Sequence, residues 1–134
     1  MKTIIGNLFI VPNRASSIDN WMAKSTRTSM RRSLANVGLQ PSDEPLVQVW
    51  YISDDCENWG SAKWDENPEF FGSWGIPTYL PASVLKGVKE GDEITLHWTG
   101  DGDRRELRLT AAQNDFRYKR FGSFEEVLEM VTGS

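Results

Sequence analysis

Histidine and cysteine are almost absent from this sequence, and their scarcity limits the chemistry that it can support. The 134 residues contain one histidine, His97, and one cysteine, Cys56. A single cysteine cannot form an internal disulfide, and these two residues together do not make a zinc site. Because unpaired thiols are typical of reducing compartments, the sequence predicts a cytoplasmic protein. It also predicts no bound metal ion and no other cofactor.

Neither residue lies in a context that favours catalysis. His97 falls on the polar side of a predicted amphipathic strand, which indicates a solvent-facing structural residue. Cys56 follows Asp54 and Asp55, and nearby negative charge disfavours the thiolate that a nucleophile requires. The sequence therefore favours a protein that is not an enzyme. Clustered carboxylates leave open a carboxylate-dependent enzyme acting on a small or sugar substrate.

Long hydrophobic runs are also missing. No segment approaches the roughly 18 apolar residues that a membrane span requires, so no membrane partner is expected. The composition, 39% hydrophobic and 25% charged, is that of an ordinary globular protein. A chain of 134 residues has the size of one domain, and we expect residues 1–134 to form a single domain.

Hydrophobic periodicity predicts an α+β fold. Strands are expected at 4–11 and 46–52, and the second is nearly all apolar, which predicts a position in the middle of the sheet. Alternation over 94–98 and 107–109 predicts a β-hairpin, and alternation at 116–118 predicts a third strand of a meander. Together these segments predict a largely antiparallel sheet of about four to six strands.

Two helices are expected to pack against this sheet. The longer covers 16–37, because Ser16 and Asp19 have the spacing of a capping box and an apolar stripe follows. That stripe consists of Ile18, Trp21, Met22, Met30, Leu34 and Val37. A shorter helix closes the chain, with Ser123 and Glu126 as a second capping box.

Charge is distributed unevenly along the chain, whose net charge is −4. Residues 1–40 carry six basic side chains and one acid, whereas residues 41–134 carry nine basic side chains and 18 acids. Lys24, Arg27 and Arg31 recur at helical spacing, with Arg32 beside them, so they share one face. A solvated face, a contact with the acidic part of the chain, and a partner-binding surface are all compatible with this pattern.

Residues 53–78 show neither helical nor strand periodicity and combine aromatic with acidic side chains. Tryptophan contributes much of the binding energy at protein interfaces, so this segment is a second candidate surface. Filling of the core and stacking on a small ligand or sugar are the alternatives for its rings. The candidate partner-binding residues of the segment are Trp59, Trp64, Asp54, Asp55, Asp65 and Glu66.

These features favour a non-enzymatic binding protein that acts through protein–protein contact. Small accessory or inhibitor proteins of the kind that phages and mobile elements carry have this profile. A nucleic-acid-binding regulator that uses the basic N-terminal helix is the first alternative. A carboxylate-dependent enzyme is the second alternative.

The hypothesis predicts the behaviour of Trp59→Ala and Trp64→Ala. Either substitution is expected to abolish partner capture while leaving Tm nearly unchanged, because an interface ring contributes little to folding. Affinity capture and thermal denaturation measure the two effects. A large loss of stability would instead assign the substituted ring to the core.

Overall fold

The computed structural model describes residues 2–53, 78–99, 104–112, 115–116, 119–120 and 122–133. Within these ranges the chain forms strands and helices in a mixed order, which confirms the α+β class. In chain order the elements are β1 (Lys2–Ile10), a 3-10 helix (Ile18–Asn20), α1 (Lys24–Asn36), β2 (Leu46–Ser53), β3 (Thr78–Pro81), α2 (Ala82–Leu85), β4 (Glu93–Trp98), β5 (Arg105–Ala111), β6 (Asp115–Phe116), β7 (Lys119–Arg120) and α3 (Phe124–Thr132).

Five of the strands form one sheet in the order β3-β2-β1-β5-β4. The pairings β1–β2, β2–β3 and β4–β5 are antiparallel, whereas β1 and β5 are parallel. This arrangement confirms the prediction of a largely antiparallel sheet and of a hairpin formed by β4 and β5. The apolar strand β2 lies between two neighbours, as expected, but the middle position of the sheet belongs to β1.

The sheet is curled around a core on its inner face. Leu8 lies opposite Tyr51 of β2 and Ala111 of β5, so the pairing registers direct these side chains to the same side. Leu80 of one edge strand and Leu96 of the other belong to the same buried cluster. The curl therefore brings the inner faces of the two edges around a shared core.

Helix α3 closes this core. Its buried residues Phe124, Val127 and Val131 belong to the cluster on the inner face of the sheet. The predicted capping box is confirmed: the Ser123 hydroxyl accepts a bond from the Glu126 N–H at 3.2 Å, and the Glu126 carboxylate accepts one from the Ser123 N–H. These bonds satisfy two backbone donors that would otherwise lack partners at the helix start.

The predicted helix over 16–37 is wrong in its first part. Ser16 forms a backbone bridge with Leu46, and the two residues exchange N–H···O bonds of 3.3 and 2.9 Å. This pairing holds Ser16 against β2, so the capping box with Asp19 does not form. A single 3-10 turn follows, its N-cap Ser17 makes no side-chain cap bond, and α1 begins only at Lys24.

The remaining 13-residue helix packs as expected on one face of the sheet. Met30 and Leu34 are buried against Leu46 and Tyr79, in a cluster separate from the inner core. The last turn of α1 also reaches the other edge strand, because the Asn36 carbonyl accepts a bond of 2.8 Å from the Thr99 N–H. Helix α1 thus covers the outer side of β3 and is tied to the end of β4.

The predicted third strand of the meander is wrong. β6 and β7 pair with each other, Asp115 with Arg120 and Phe116 with Lys119, in a separate two-stranded ladder. Arg117 and Tyr118 themselves lie outside the residues that the structure describes.

The core contains one polar atom whose removal is testable. The Tyr51 side chain is buried, its hydroxyl has no hydrogen-bond partner among the described residues, and burial raises the pKa of this phenol. We expect Tyr51→Phe to raise the free energy of unfolding by about 1 kcal/mol, because an unsatisfied buried hydroxyl is lost while the ring remains. Urea denaturation measures the change. A decrease of similar size would mean that the hydroxyl has a partner in solution.

Candidate binding surface

The outer side of α1 is basic. Met30, Ser33 and Leu34 face inward and are buried. The helical period places the exposed residues on the opposite side, and these are Lys24, Ser25, Thr28, Arg31, Arg32 and Ala35. Lys24 and Arg31 are two turns apart, or about 10 Å along the helix axis.

Three of these cations are not neutralised by the rest of the described structure. No hydrogen bond or ion pair joins the side chains of Lys24, Arg31 or Arg32 to any residue in the described ranges. An ion pair between Arg108 and Glu106, at 2.6 Å, lies on β5. The outer face of α1 is therefore a solvated positive surface rather than a contact with the acidic part of the chain, as far as the described residues extend.

Arg27 differs from the other three. Its side chain is half-buried, and its Nη1 donates hydrogen bonds to the carbonyl oxygens of Trp21 at 2.5 Å and Met22 at 2.8 Å. The guanidinium thus reaches backwards over the start of α1 and fixes the turn that precedes it. Arg27 positions this turn, whereas Lys24 and Arg31 present free charges.

Trp21 and Met22 are exposed, in contrast to the prediction that they belong to the buried stripe. Their exposed fractions are 38% and 95%, which are high for large apolar side chains. The 3-10 helix ends at Asn20 and α1 begins at Lys24, so the two residues are not in the helical period at all. The sequence did contain a signal of this break. Between Met22 and Met30, the positions at the spacing of the stripe are 25, 26 and 29, and they are occupied by Ser, Thr and Ser.

We define the Trp21 surface as Trp21, Met22, Lys24, Arg31 and Arg32. Next to it, Trp21 forms one wall of a polar cleft of about 530 Å³. Arg14 and Asp43 line the same cleft and give it charges of both signs. The surface therefore combines an aromatic ring beside a concavity, a thioether in solvent, and a row of unpaired cations.

The second predicted surface lies outside the described residues. This applies to Trp59, Trp64, Asp54, Asp55, Asp65 and Glu66, and also to Cys56. The structure thus brings Lys24 and Arg31 together on one face, with Arg27 at its side, but gives no relation between them and the aromatic–acidic segment. His97 is exposed on β4, as predicted, opposite Glu106 of β5.

The described residues do not form an acid–base or metal-binding cluster. No group of three or more His, Cys, Asp or Glu side chains that suits a metal ion occurs among them. Burial raises the pKa values of Tyr51 and Tyr79. The pKa of Glu125 is lowered, chiefly because its carboxylate accepts a hydrogen bond from the Glu90 N–H at 2.8 Å. None of these groups belongs to the Trp21 surface.

Comparison with known proteins adds no assignment, since no protein-family model, curated protein or solved structure matches the chain. None of the helices in the described ranges has the length and apolar character to cross a bilayer.

The positioning role of Arg27 is testable with a matched pair of substitutions. Arg27→Met keeps most of the apolar stem but removes both bonds to the Trp21 and Met22 carbonyls. We expect it to lower the free energy of unfolding by about 1 kcal/mol and to speed amide hydrogen exchange in 21–24. Arg31→Met, on the solvated face, is expected to change stability by less than about 0.5 kcal/mol. Equal effects of the two substitutions would contradict the assigned role.

Proposed function

We propose that this chain is a non-enzymatic binding protein that captures another protein through the Trp21 surface. The observation that carries the proposal is the exposure of Trp21 and Met22 just before a helix whose solvent side carries three cations without a partner in the described structure, Lys24 being the nearest in sequence. Neighbouring exposed apolar side chains rimmed by charged ones are typical of interaction sites.

The residue types of the surface are those that interfaces select. Tryptophan, methionine and arginine are enriched at protein–protein interfaces relative to the remaining surface. Trp21 offers a broad rigid ring, and Met22, at 95% exposure, offers a flexible side chain that adapts to a partner pocket. Arg31 and Arg32 add planar groups that bind carboxylates in bidentate fashion.

The surface is also held in place before binding. Arg27 anchors the backbone of the Trp21–Met22 turn to the first turns of α1, and α1 packs on the sheet through Met30 and Leu34. A turn that is already ordered loses less conformational entropy when a partner binds. The two apolar side chains are thus presented from a rigid element.

The charge of the surface defines the chemistry of the partner. Lys24, Arg31 and Arg32 all carry positive charge on one side of a helix, which favours an acidic protein surface with a pocket for an apolar side chain. Such complementarity accelerates association and weakens as salt rises. A partner of this kind would contact the cations at its rim and the two apolar side chains at its centre.

Nucleic acid is the alternative binding partner for the same cationic side chains. Arg27, one of the four basic side chains of the helix, already donates to two backbone carbonyls, and the chain as a whole carries a net charge of −4. A phosphate backbone also makes no use of an exposed methionine. The apolar part of the surface therefore favours a protein, and it distinguishes the two partners in experiment.

The test compares Met22→Ser with Met130→Ser in affinity capture from a nuclease-treated lysate of the native host. Met130 is also exposed, at 56%, but it belongs to α3 and not to the Trp21 surface. We expect Met22→Ser and Trp21→Ala to lose a protein that the wild type and Met130→Ser retain. A central aromatic contact is worth about 2 kcal/mol or more, which is roughly a 30-fold loss of affinity.

Charge reversal provides the second arm. Arg31→Glu is expected to weaken capture of the same protein and to reduce its dependence on salt concentration. Identical captured proteins for all variants would contradict the proposal. Material that disappears on nuclease treatment, and that is bound equally by Met22→Ser, would assign the surface to nucleic acid.

A further inference from the structure

The strand β4 forms one edge of the five-stranded sheet, and half of its backbone groups point away from β5. The Ala111 N–H donates to the Asp92 carbonyl at 2.8 Å, and the register continues with Ile94 opposite Leu109. Since hydrogen-bonded pairs alternate in an antiparallel ladder, Ile94, Leu96 and Trp98 bond to β5. The backbone groups of Glu93, Thr95 and His97 therefore point outward.

These three residues are an open edge. No hydrogen bond engages the outward N–H and C=O groups of Glu93, Thr95 or His97 within the part of the chain that the structure describes. Their side chains are exposed. The open stretch ends at Thr99, whose N–H also points outward but already donates to the Asn36 carbonyl of α1.

Among the described residues, β4 carries little of the usual protection against pairing. Natural edge strands are blocked by proline, lysine, a bulge, extreme shortness or a covering element. The opposite edge strand, β3, has such protection, because it is four residues long, ends at Pro81 and is contacted by α1. β4 has six residues in unbroken register and contains neither proline nor lysine.

We propose that two copies of this chain pair antiparallel along β4, with Thr95 opposite the partner subunit's Thr95. Of the registers available, this one engages all three open residues and leaves the Thr99–Asn36 bond intact. The paired edges would form six N–H···O bonds, two for each pair of outward residues. The result is a ten-stranded sheet that is continuous across a two-fold axis.

The side chains in this register are self-complementary. Glu93 lies opposite the partner subunit's His97, and the two-fold axis repeats that pair, so each subunit supplies one acid and one imidazole. On the inner face Ile94 lies opposite the partner subunit's Leu96. A register shifted by two residues would instead place Glu93 opposite the partner subunit's Thr99, whose N–H is already used. The β4 edge shares no residue with the Trp21 surface, which is formed by α1 and the turn that precedes it.

The test uses one position and two substitutions. Thr95→Pro removes an outward N–H and adds bulk at the open edge, but costs no bond to β5, since that N–H does not belong to the β4–β5 ladder. Thr95→Ala keeps the N–H. In sedimentation equilibrium the apparent molecular mass of the wild type and of Thr95→Ala is expected to rise with concentration from 15.2 kDa toward twice that value. Thr95→Pro is expected to stay monomeric with a similar Tm.

The register has its own test, which does not depend on how the backbone tolerates proline. Glu93→Lys and His97→Glu are each expected to weaken self-association several-fold, because each places like or unmatched charges across the two-fold axis. The double substitution restores a Lys–Glu pair and is expected to restore association. A wild type that stays at 15.2 kDa at every concentration would overturn the proposal. So would a Thr95→Pro variant that dimerises normally, or a double variant without rescue.

Discussion

The exposed Trp21 surface depends on one short contact, the backbone pairing of Ser16 with Leu46. Two interstrand bonds tie the segment after β1 to the start of β2. Each bond contributes only about 1 kcal/mol net. Together they hold the backbone at Ser16 in an extended conformation, where the sequence pattern favours the start of a helix. Because α1 is thereby delayed to Lys24, Trp21 and Met22 leave the apolar stripe and face solvent.

Elements whose signals are local were predictable from the sequence. The capping box of Ser123 and Glu126 and the alternation of β4 and β5 are set by neighbouring residues, and both were confirmed. The long-range pairing of Ser16 with Leu46 has no such signal, because its energy comes from a strand 30 residues away. The parallel pairing of β1 with β5 is equally long-range and places β1 at the centre of the sheet.

The candidate site was predicted in part for the same reason. Helical spacing was sufficient to place Lys24 and Arg31 on one solvated face. It did not show that Arg27 bonds to the Trp21 and Met22 carbonyls, because that contact exists only when the helix starts late. The basic face and its apolar neighbours thus form one surface through tertiary structure. The open β4 edge, at the other end of the sheet from β3, is likewise a property of strand order.

An NMR determination of backbone conformation and solvent contact over 16–26 tests most directly whether α1 starts late and leaves Trp21 and Met22 exposed. If α1 begins at Lys24, we expect helical ¹³Cα shifts from that residue onward and non-helical shifts at Trp21 and Met22. We also expect a soluble paramagnetic agent to broaden the Met22 methyl signal strongly. Continuous helical shifts from Ser17 through Asn36, with the Met22 methyl protected, would contradict it. In that case the bridge between Ser16 and Leu46 does not form in solution, and no exposed apolar pair stands beside the cations of α1.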